Sequence, residues 1–376
     1  MNQTAKSSRL NAIELVRFVG ALGILMIHFG KFYFENNGYF SKGYLFVEYF
    51  FILTGFYMMR GLDREGEPLS TPAFLLGKIK GFYAPLCVAL CGHLLYDCIY
   101  QGCRTVGDVL DKLFHFKWEF LLLSTAGFID EPQINQGHLM GQTWYLSAMI
   151  IALVFAYPLA RFYRRAYLNL ISPLFILCVY SFMVQTFGGL DYGNVYVGVV
   201  ILAVLRGFAG ISVGALTYAA WKALSERGFG SKGERRVAVF VEIVAWIMLI
   251  LALVFGRRYF AEPGVIMIPV FMCLVALANL NQTPISRWLN GLKPGLFGFL
   301  GKFSLYLYLV HWTPLMIVKN FLPNIGTGLS CLLVVGGSLV YAGALMAVDR
   351  LRQGLWPIFV ICGGLLAGCF VVPIFQ

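Results

Sequence analysis

The sequence predicts an all-α, polytopic transmembrane bundle of about 10 to 11 spans with a cytoplasmic N-terminus, and three observations carry that reading. Only 12% of the 376 residues are charged while 59% are hydrophobic, for a mean hydropathy of +0.75. Ordinary soluble domains are roughly a quarter charged, so this chain lacks the polar surface to cover a water-soluble core. Apolar runs long enough to cross a bilayer recur throughout the chain, and the Lys and Arg residues between them fall mostly on alternate connections. Disorder and nucleic-acid reading are excluded, because membrane proteins acquire a basic balance such as this +11 from cytoplasmic loops alone. Of the nine cysteines, all but Cys103 fall in apolar runs without paired metal-ligand spacing and read as small core residues, so no metal is expected.

A spanning helix needs about 20 predominantly apolar residues. Eleven runs qualify: 13–29, 44–60, 82–99, 143–160, 166–187, 195–221, 237–256, 264–280, 303–322, 328–348 and 355–374. The first carries Glu14, Arg17 and His28 and lacks a small-residue cleavage site, so it reads as a retained span rather than a removed signal peptide. The second holds Glu48, Thr54 and Gly55, the last of which admits close approach of another backbone. In the third, His93 and Asp97 stand four apart and predict a local hydrogen bond. Segment 100–142 is the longest outside the spans. It is too short for a separate enzyme domain, and its stretch from Leu110 to Phe128 suits an interfacial or re-entrant helix on the outer side. The sixth and seventh spans bury Arg206 and Glu242, and the ninth buries Tyr308, His311 and Trp312. The chain thus reads as a single membrane domain over 1–376.

Orientation follows from the basic residues. With the N-terminus inside, nineteen fall on cytoplasmic segments, including Arg60, Lys78, Lys80, Arg161, Arg164, Lys222 and Arg287. Eight fall outside, including Lys31 and Lys112, and Arg17 and Arg206 lie within spans. The asymmetry places the N-terminus in the cytoplasm.

A charge near the centre of a spanning helix costs about 2.5–3.5 kcal/mol on insertion scales, so each one needs a partner or a function. Arg17 and His28 are eleven residues apart, which returns the helix to within about 20° of the same face after about 16.5 Å of rise. One face therefore carries a guanidinium toward the inner side and an imidazole toward the outer side. Glu14, three residues before Arg17, can neutralise it. A purely structural Glu14–Arg17 pair with His28 closing the outer end is the alternative at this point. Arg206 pairs with Glu48 or Glu242, or meets a ligand. His311 either contacts substrate or is a buried, hydrogen-bonded histidine. His115 reads as interfacial, and His138 lies outside the membrane.

These motifs together resemble the acyltransferase-3 family of polytopic bacterial membrane O-acyltransferases. Glu14-Leu-Val-Arg17, ten residues and then His28 match that family's first-helix signature. Glu48-Tyr-Phe-Phe-Ile-Leu-Thr54-Gly55 matches an acid followed by Phe-Phe-x-x-Ser-Gly, with threonine for serine. Gln142-Thr-Trp144-Tyr-Leu-Ser147, Arg206 with Gly210 and Gly214, and Tyr308-Leu-Val-His311-Trp312 follow in the family's order over most of the chain. One departure concerns the donor motif: Lys78-Ile-Lys80-Gly81 stands where the family carries Arg-x-x-Arg ahead of a Tyr-Pro turn, and lysine meets a phosphate as a point charge without the arginine fork. No C-terminal hydrolase-like extension is evident, so a stand-alone member is expected.

The resemblance implies transfer of an acyl group, simplest as acetyl, from a cytoplasmic acyl-CoA to a cell-surface polysaccharide or other envelope glycan. It implies a multi-pass protein of the bacterial cytoplasmic membrane, with acyl-CoA as co-substrate, no bound cofactor and no nucleic-acid partner. Abstracting a sugar hydroxyl proton suits a membrane-embedded imidazole, so His28 is the expected base, with Arg17 and Glu14 completing the catalytic group. Lys78, Lys80 and Arg206 are the expected donor-binding cations. Glu48, Thr54, Trp144, Tyr308, His311 and Trp312 are expected at or behind the substrate. Arg17 and His28 are expected to face one cavity reached from both sides. Transport of a small solute or amino acid is the competing reading, although no pair of interrupted helices at matching positions supports a repeat-built transporter.

Overall fold

The computed structural model describes residues 10–34, 40–64, 66–128, 138–256, 264–351 and 356–375. The chain is 80% helical, with eight helices long and apolar enough to cross a membrane among the described residues, or nine if one bent pair counts as a single span. It is a multi-span, all-α membrane protein.

Helix α1 (Asn11–Tyr33) is followed by a 3-10 turn at Gly43–Leu45 and α2 (Phe46–Leu62), then a short α3 (Thr71–Lys80) and the spanning α4 (Tyr83–Gln101). Two short helices, α5 (Val106–His115) and α6 (Lys117–Phe120), precede three further spans, α7 (Trp144–Phe162), α8 (Arg164–Phe187) and α9 (Leu202–Arg227). Then come α10 (Lys232–Phe255), α11 (Met267–Leu280) and α12 (Pro284–Gly291), the last two meeting at 60°. Helices α13 (Pro294–Val310), α14 (Trp312–Phe321), α15 (Thr327–Leu351) and α16 (Trp356–Phe375) complete the bundle.

Burial sorts these helices into two layers. Of the most apolar window of α9, 83% is enclosed, against 22% for α10, whose Val237, Phe240 and Ile250 point outward. A helix apolar on all sides yet exposed along its flank needs lipid to cover it. The inner crossing of α2 on α9 depends on the absence of side chains: a Cβ on Gly55 would lie 1.9 Å from the Ile211 carbonyl, and one on Gly214 2.1 Å from that of Ile52. Such close approach is how helices associate where apolar solvent offers no hydrophobic drive.

At one end of the bundle, Asp63 gathers α2, α8 and α9. It accepts hydrogen bonds from Arg164, from Tyr218 at 2.7 Å and from Lys222 at 2.7 Å. The Arg164 guanidinium, with help from Lys222 and Tyr218, holds its carboxyl well below the usual carboxylate range. Arg60, Arg161 and Lys222 therefore cluster where the alternation of spans requires, while Lys31 lies at the far end of α1. The basic residues at 6, 9, 257, 258 and 352 lie outside the described residues, as do Asp130 and Glu131.

The structure corrects several element boundaries. The run 195–221 is not all helix: Tyr196–Val197 pairs with Val200–Ile201 as a two-stranded hairpin, and the span starts at Leu202. Those residues are β-branched or aromatic and pack as well in a strand, so apolarity alone could not separate the two. The run 303–322 is broken at His311, because Pro314 lacks the N–H that the Val310 carbonyl would need. Segment 100–142 yields α5 and α6 rather than one helix over 110–128, and neither spans. In α5, Val109 points inward while Leu110 and Phe114 point out, as an interfacial helix would arrange them. His93 and Asp97 do not bond each other. His93 reaches Thr313 at 3.0 Å, and Asp97 takes Lys112 at 2.5 Å and Gln101 at 2.7 Å. The cysteines are free thiols, with Cys178 outward on α8.

Candidate active site

Two cavities lie along the face of α1 that carries Arg17 and His28. The first, of about 360 Å³, is lined by Glu14 and Arg17 from α1, Thr54, Tyr57 and Arg60 from α2, and Lys78 from α3. Tyr145, Met149, Ser304 and Tyr308 close its deep end. Arg17 donates to Glu14 at 3.0 Å, and Arg60 donates to Asn279 at 2.9 Å. Three cations against one carboxylate leave this chamber net positive, over walls of Leu53, Phe50 and Phe82. Burial, then the nearby Arg17 charge, pushes the Lys78 ammonium below its usual range.

The second cavity, of about 460 Å³, is lined by His28 and Lys31 from α1, Trp144 from α7, Arg206 from α9 and Trp312 from α14. Gln142 and the loop residues Asp191 and Tyr192 complete its polar wall. The single chamber expected from the Arg17–His28 spacing is therefore divided, and Tyr308 is the residue common to both linings. Its hydroxyl donates to the Gln142 carbonyl at 2.5 Å, and its ring sits 5.9 Å from that of Tyr145. The side chains of α13, packed against α1, supply this partition. Three helical turns separate the two polar groups, and the Tyr308 ring stands where the two linings meet.

Behind His28 lies His311. His28 Nδ1 and His311 Nε2 are 2.9 Å apart, with the rings parallel to within 7°. His311 Nδ1 faces only carbonyl oxygens, that of Tyr308 at 2.8 Å and that of Leu307 at 3.3 Å. A carbonyl can only accept, so the His311 proton sits on Nδ1 and its Nε2 is the acceptor. His28 must then donate from Nδ1, which leaves its own Nε2 as a lone pair without a donor among the described residues, on a half-buried ring at the outer cavity. The break in the helix at His311 places this pairing where the backbone turns. Trp312 packs edge-on against His28 at 5.1 Å and fixes its plane.

The remaining residues expected at the site fall as follows. Glu48 is fully buried and accepts from Arg206 Nε at 2.5 Å and from Tyr180 at 2.6 Å, which resolves the choice of partner for Arg206. Removing one member of such a pair costs about 3–5 kcal/mol. Glu242 instead caps α12 through Thr283, Ile285 and Ser286. Arg206, grouped above with the donor cations, shares the cavity of His28 and not that of Lys78. Lys80 is exposed and lines neither cavity. Thr54 lines the basic cavity and donates to the Phe50 carbonyl at 2.9 Å. His115 is exposed, and His138 sits 3.6 Å from Glu119, outside both linings. No cluster of three metal-ligating side chains occurs among the described residues.

Sequence reasoning missed Arg60, Tyr57 and Gln142 as lining residues. Arg60 and Tyr57 were within reach: positions 50, 53, 54, 57 and 60 form one helical stripe, so Thr54 pointed to both. Gln142 had no such signal, since a turn places it.

A family model described as an acyltransferase domain matches residues 10–372. No curated protein and no solved structure matches the chain.

Proposed function

The chain belongs to this acyltransferase family and transfers acyl groups other than aminoacyl groups, and on that premise we propose that it acetylates a hydroxyl of an envelope glycan from a coenzyme A thioester. The Asp63 and Lys78 end is taken to face the cytoplasm of a bacterial cell, and the His28 end the outside. The observation that carries the reading is the imidazole pair: His311 fixes the tautomer of His28, so that an unprotonated Nε2 faces the outer cavity.

In this reading the donor's phosphates rest among Arg17, Arg60 and Lys78, whose excess of positive charge suits a polyanion. Apolar walls receive the slender thioester arm, which passes Tyr308 to bring its carbonyl near His28. His28 Nε2 takes the proton of the acceptor hydroxyl as that oxygen attacks the thioester carbonyl. The carbon–sulfur bond then breaks, the imidazolium returns its proton to the departing thiolate, and an ester and free coenzyme A result. General-base assistance of this kind is worth about 10²–10⁴ in rate. Glu14 orients Arg17 and lowers the cost of keeping it in the membrane.

The test is transfer of labelled acetyl from acetyl-CoA to cell-envelope glycan by purified protein. His28→Ala should reduce it by about 10²-fold or more while the protein still elutes as a folded particle. Unchanged transfer by that variant would remove His28 as the base.

A further inference from the structure

The outer cavity holds hydrogen-bonding capacity that proton transfer at His28 does not use. Arg206 is 2% exposed. Its Nε donates to Glu48 and its Nη1 to the Tyr192 carbonyl at 3.3 Å, while Nη2, shut off from solvent, meets no acceptor among the described residues. Gln142 shows the complement. Its Nε2 faces the Leu309 carbonyl at 3.2 Å and the Met140 sulfur at 4.0 Å, both acceptors, so the amide cannot be turned over. Its Oε1 is buried without a donor among the described residues. Folded proteins rarely leave such a group unmet.

Both side chains line the same cavity as His28. Its charges are already matched: Lys31 lies 3.5 Å from Asp191, and Arg206 is neutralised by Glu48. Trp144, whose ring lies 5.4 Å from the Arg206 guanidinium carbon, and Trp312 add flat apolar faces. A hydroxyl, which carries both a donor and acceptors, can accept from Nη2 and donate to Oε1. A carboxylate would meet a guanidinium whose charge is spent and an amide oxygen that repels it.

We infer that this wall is an acceptor subsite, in which Arg206 Nη2 and Gln142 Oε1 hold the oxygens of an uncharged, polyhydroxylated ring so that a neighbouring hydroxyl faces His28. The inference rests on the glycan-acylation reading and assigns its specificity. It moves Arg206 from the donor to the acceptor.

The test is steady-state kinetics of purified protein in lipid nanodiscs, with acetyl-CoA and either a neutral methyl hexoside or the matching methyl hexuronide as acceptor. The neutral glycoside should be the better substrate. Arg206→Lys keeps a cation against Glu48 but removes Nη2, and Gln142→Met removes Oε1 at nearly constant size. Each should raise acceptor KM about tenfold, as expected for one lost hydrogen bond, with kcat and donor KM within about twofold. Preference for the uronide, or variants that lower kcat or raise donor KM while acceptor KM stays fixed, would overturn the subsite. If Arg206→Lys fails to fold, Gln142→Met decides alone. Wild-type protein that acetylates neither glycoside nor any glycan would instead defeat the glycan reading and the subsite with it. Transfer by wild type with acceptor KM unmoved in the variants defeats the subsite alone.

Discussion

At the scale of single residues, the proposed chemistry turns on which nitrogen of His28 holds a proton. Two carbonyls at His311 Nδ1 settle that question through one intervening hydrogen bond. His311 is thus a positioning residue, and its role separates from bulk packing by choice of substitute. Glutamine at 311 can still accept from His28 Nδ1 through Oε1, whereas phenylalanine fills the space and cannot. His311→Phe should lower kcat about 10²-fold with both KM values little changed, and His311→Gln should recover most of the loss. Equal loss in the two variants, measured in the same acetyl-transfer assay, would mean that His311 only fills volume. The sequence carried half of this arrangement: Arg17 and His28 share a helix face by simple arithmetic of the α-helix. That His311 is the partner was not readable, because residues 283 positions apart meet only through the packing of α13 and α14 against α1.

At the scale of elements, the spans were legible because bilayer thickness imposes a length and an apolarity that few other structures share. The failures came where backbone leaves that regime: the hairpin at 196–201 and the break at His311. Both lie in runs that stay apolar while the geometry changes, so hydropathy has little to register. The Gly55 signal, by contrast, was a direct reading of close backbone approach. Gly55→Ala would set a methyl against the Ile211 carbonyl with no flexible side chain to yield. Overpacking of that kind costs about 1–3 kcal/mol, so the melting temperature in detergent should fall by several degrees. Gly61→Ala, on the same helix with open space around it, should leave it unchanged. Loss of stability in both variants would assign the effect to α2 as a helix rather than to its crossing with α9.

The partition at Tyr308 belongs to the same scale, since α13 as a whole carries it between the chambers. Tyr308→Ala removes the ring common to both linings and its bond to the Gln142 carbonyl. Without that ring the thioester arm passing it is held less firmly, and water in the outer cavity competes with the acceptor hydroxyl for its carbonyl. The expected outcome is release of free coenzyme A without acceptor, raised several-fold over wild type, together with weaker coupling of thioester use to ester formation. Tyr308→Phe, which keeps the ring, should stay close to wild type in that leak. A leak in Tyr308→Phe equal to that in Tyr308→Ala would place the barrier in the hydroxyl rather than the ring.

At the scale of the whole molecule, one of the two cavities along α1 is lined by an excess of positive charge and the other by matched charges. This division was only partly legible in the sequence, which left Arg206 between Glu48, Glu242 and a ligand; the contact with buried Glu48 is what neutralises it. The same division predicts a pH dependence confined to one substrate. Burial and the Arg17 charge hold the Lys78 ammonium below its usual range, so on the way to alkaline pH it loses its proton earlier than an exposed lysine does. An anionic donor binds the protonated form better, and by linkage its binding draws the proton affinity of Lys78 back up. Donor KM should therefore rise as pH increases through the depressed Lys78 value, while acceptor KM stays flat across the same range. Lys78→Arg should abolish that alkaline rise, because a guanidinium stays charged throughout and restores the fork that the family carries in its donor motif. Lys78→Met should show the raised donor KM at every pH. An alkaline rise that survives in Lys78→Arg would locate the titrating group elsewhere and leave Lys78 as a bystander at the mouth of the basic cavity.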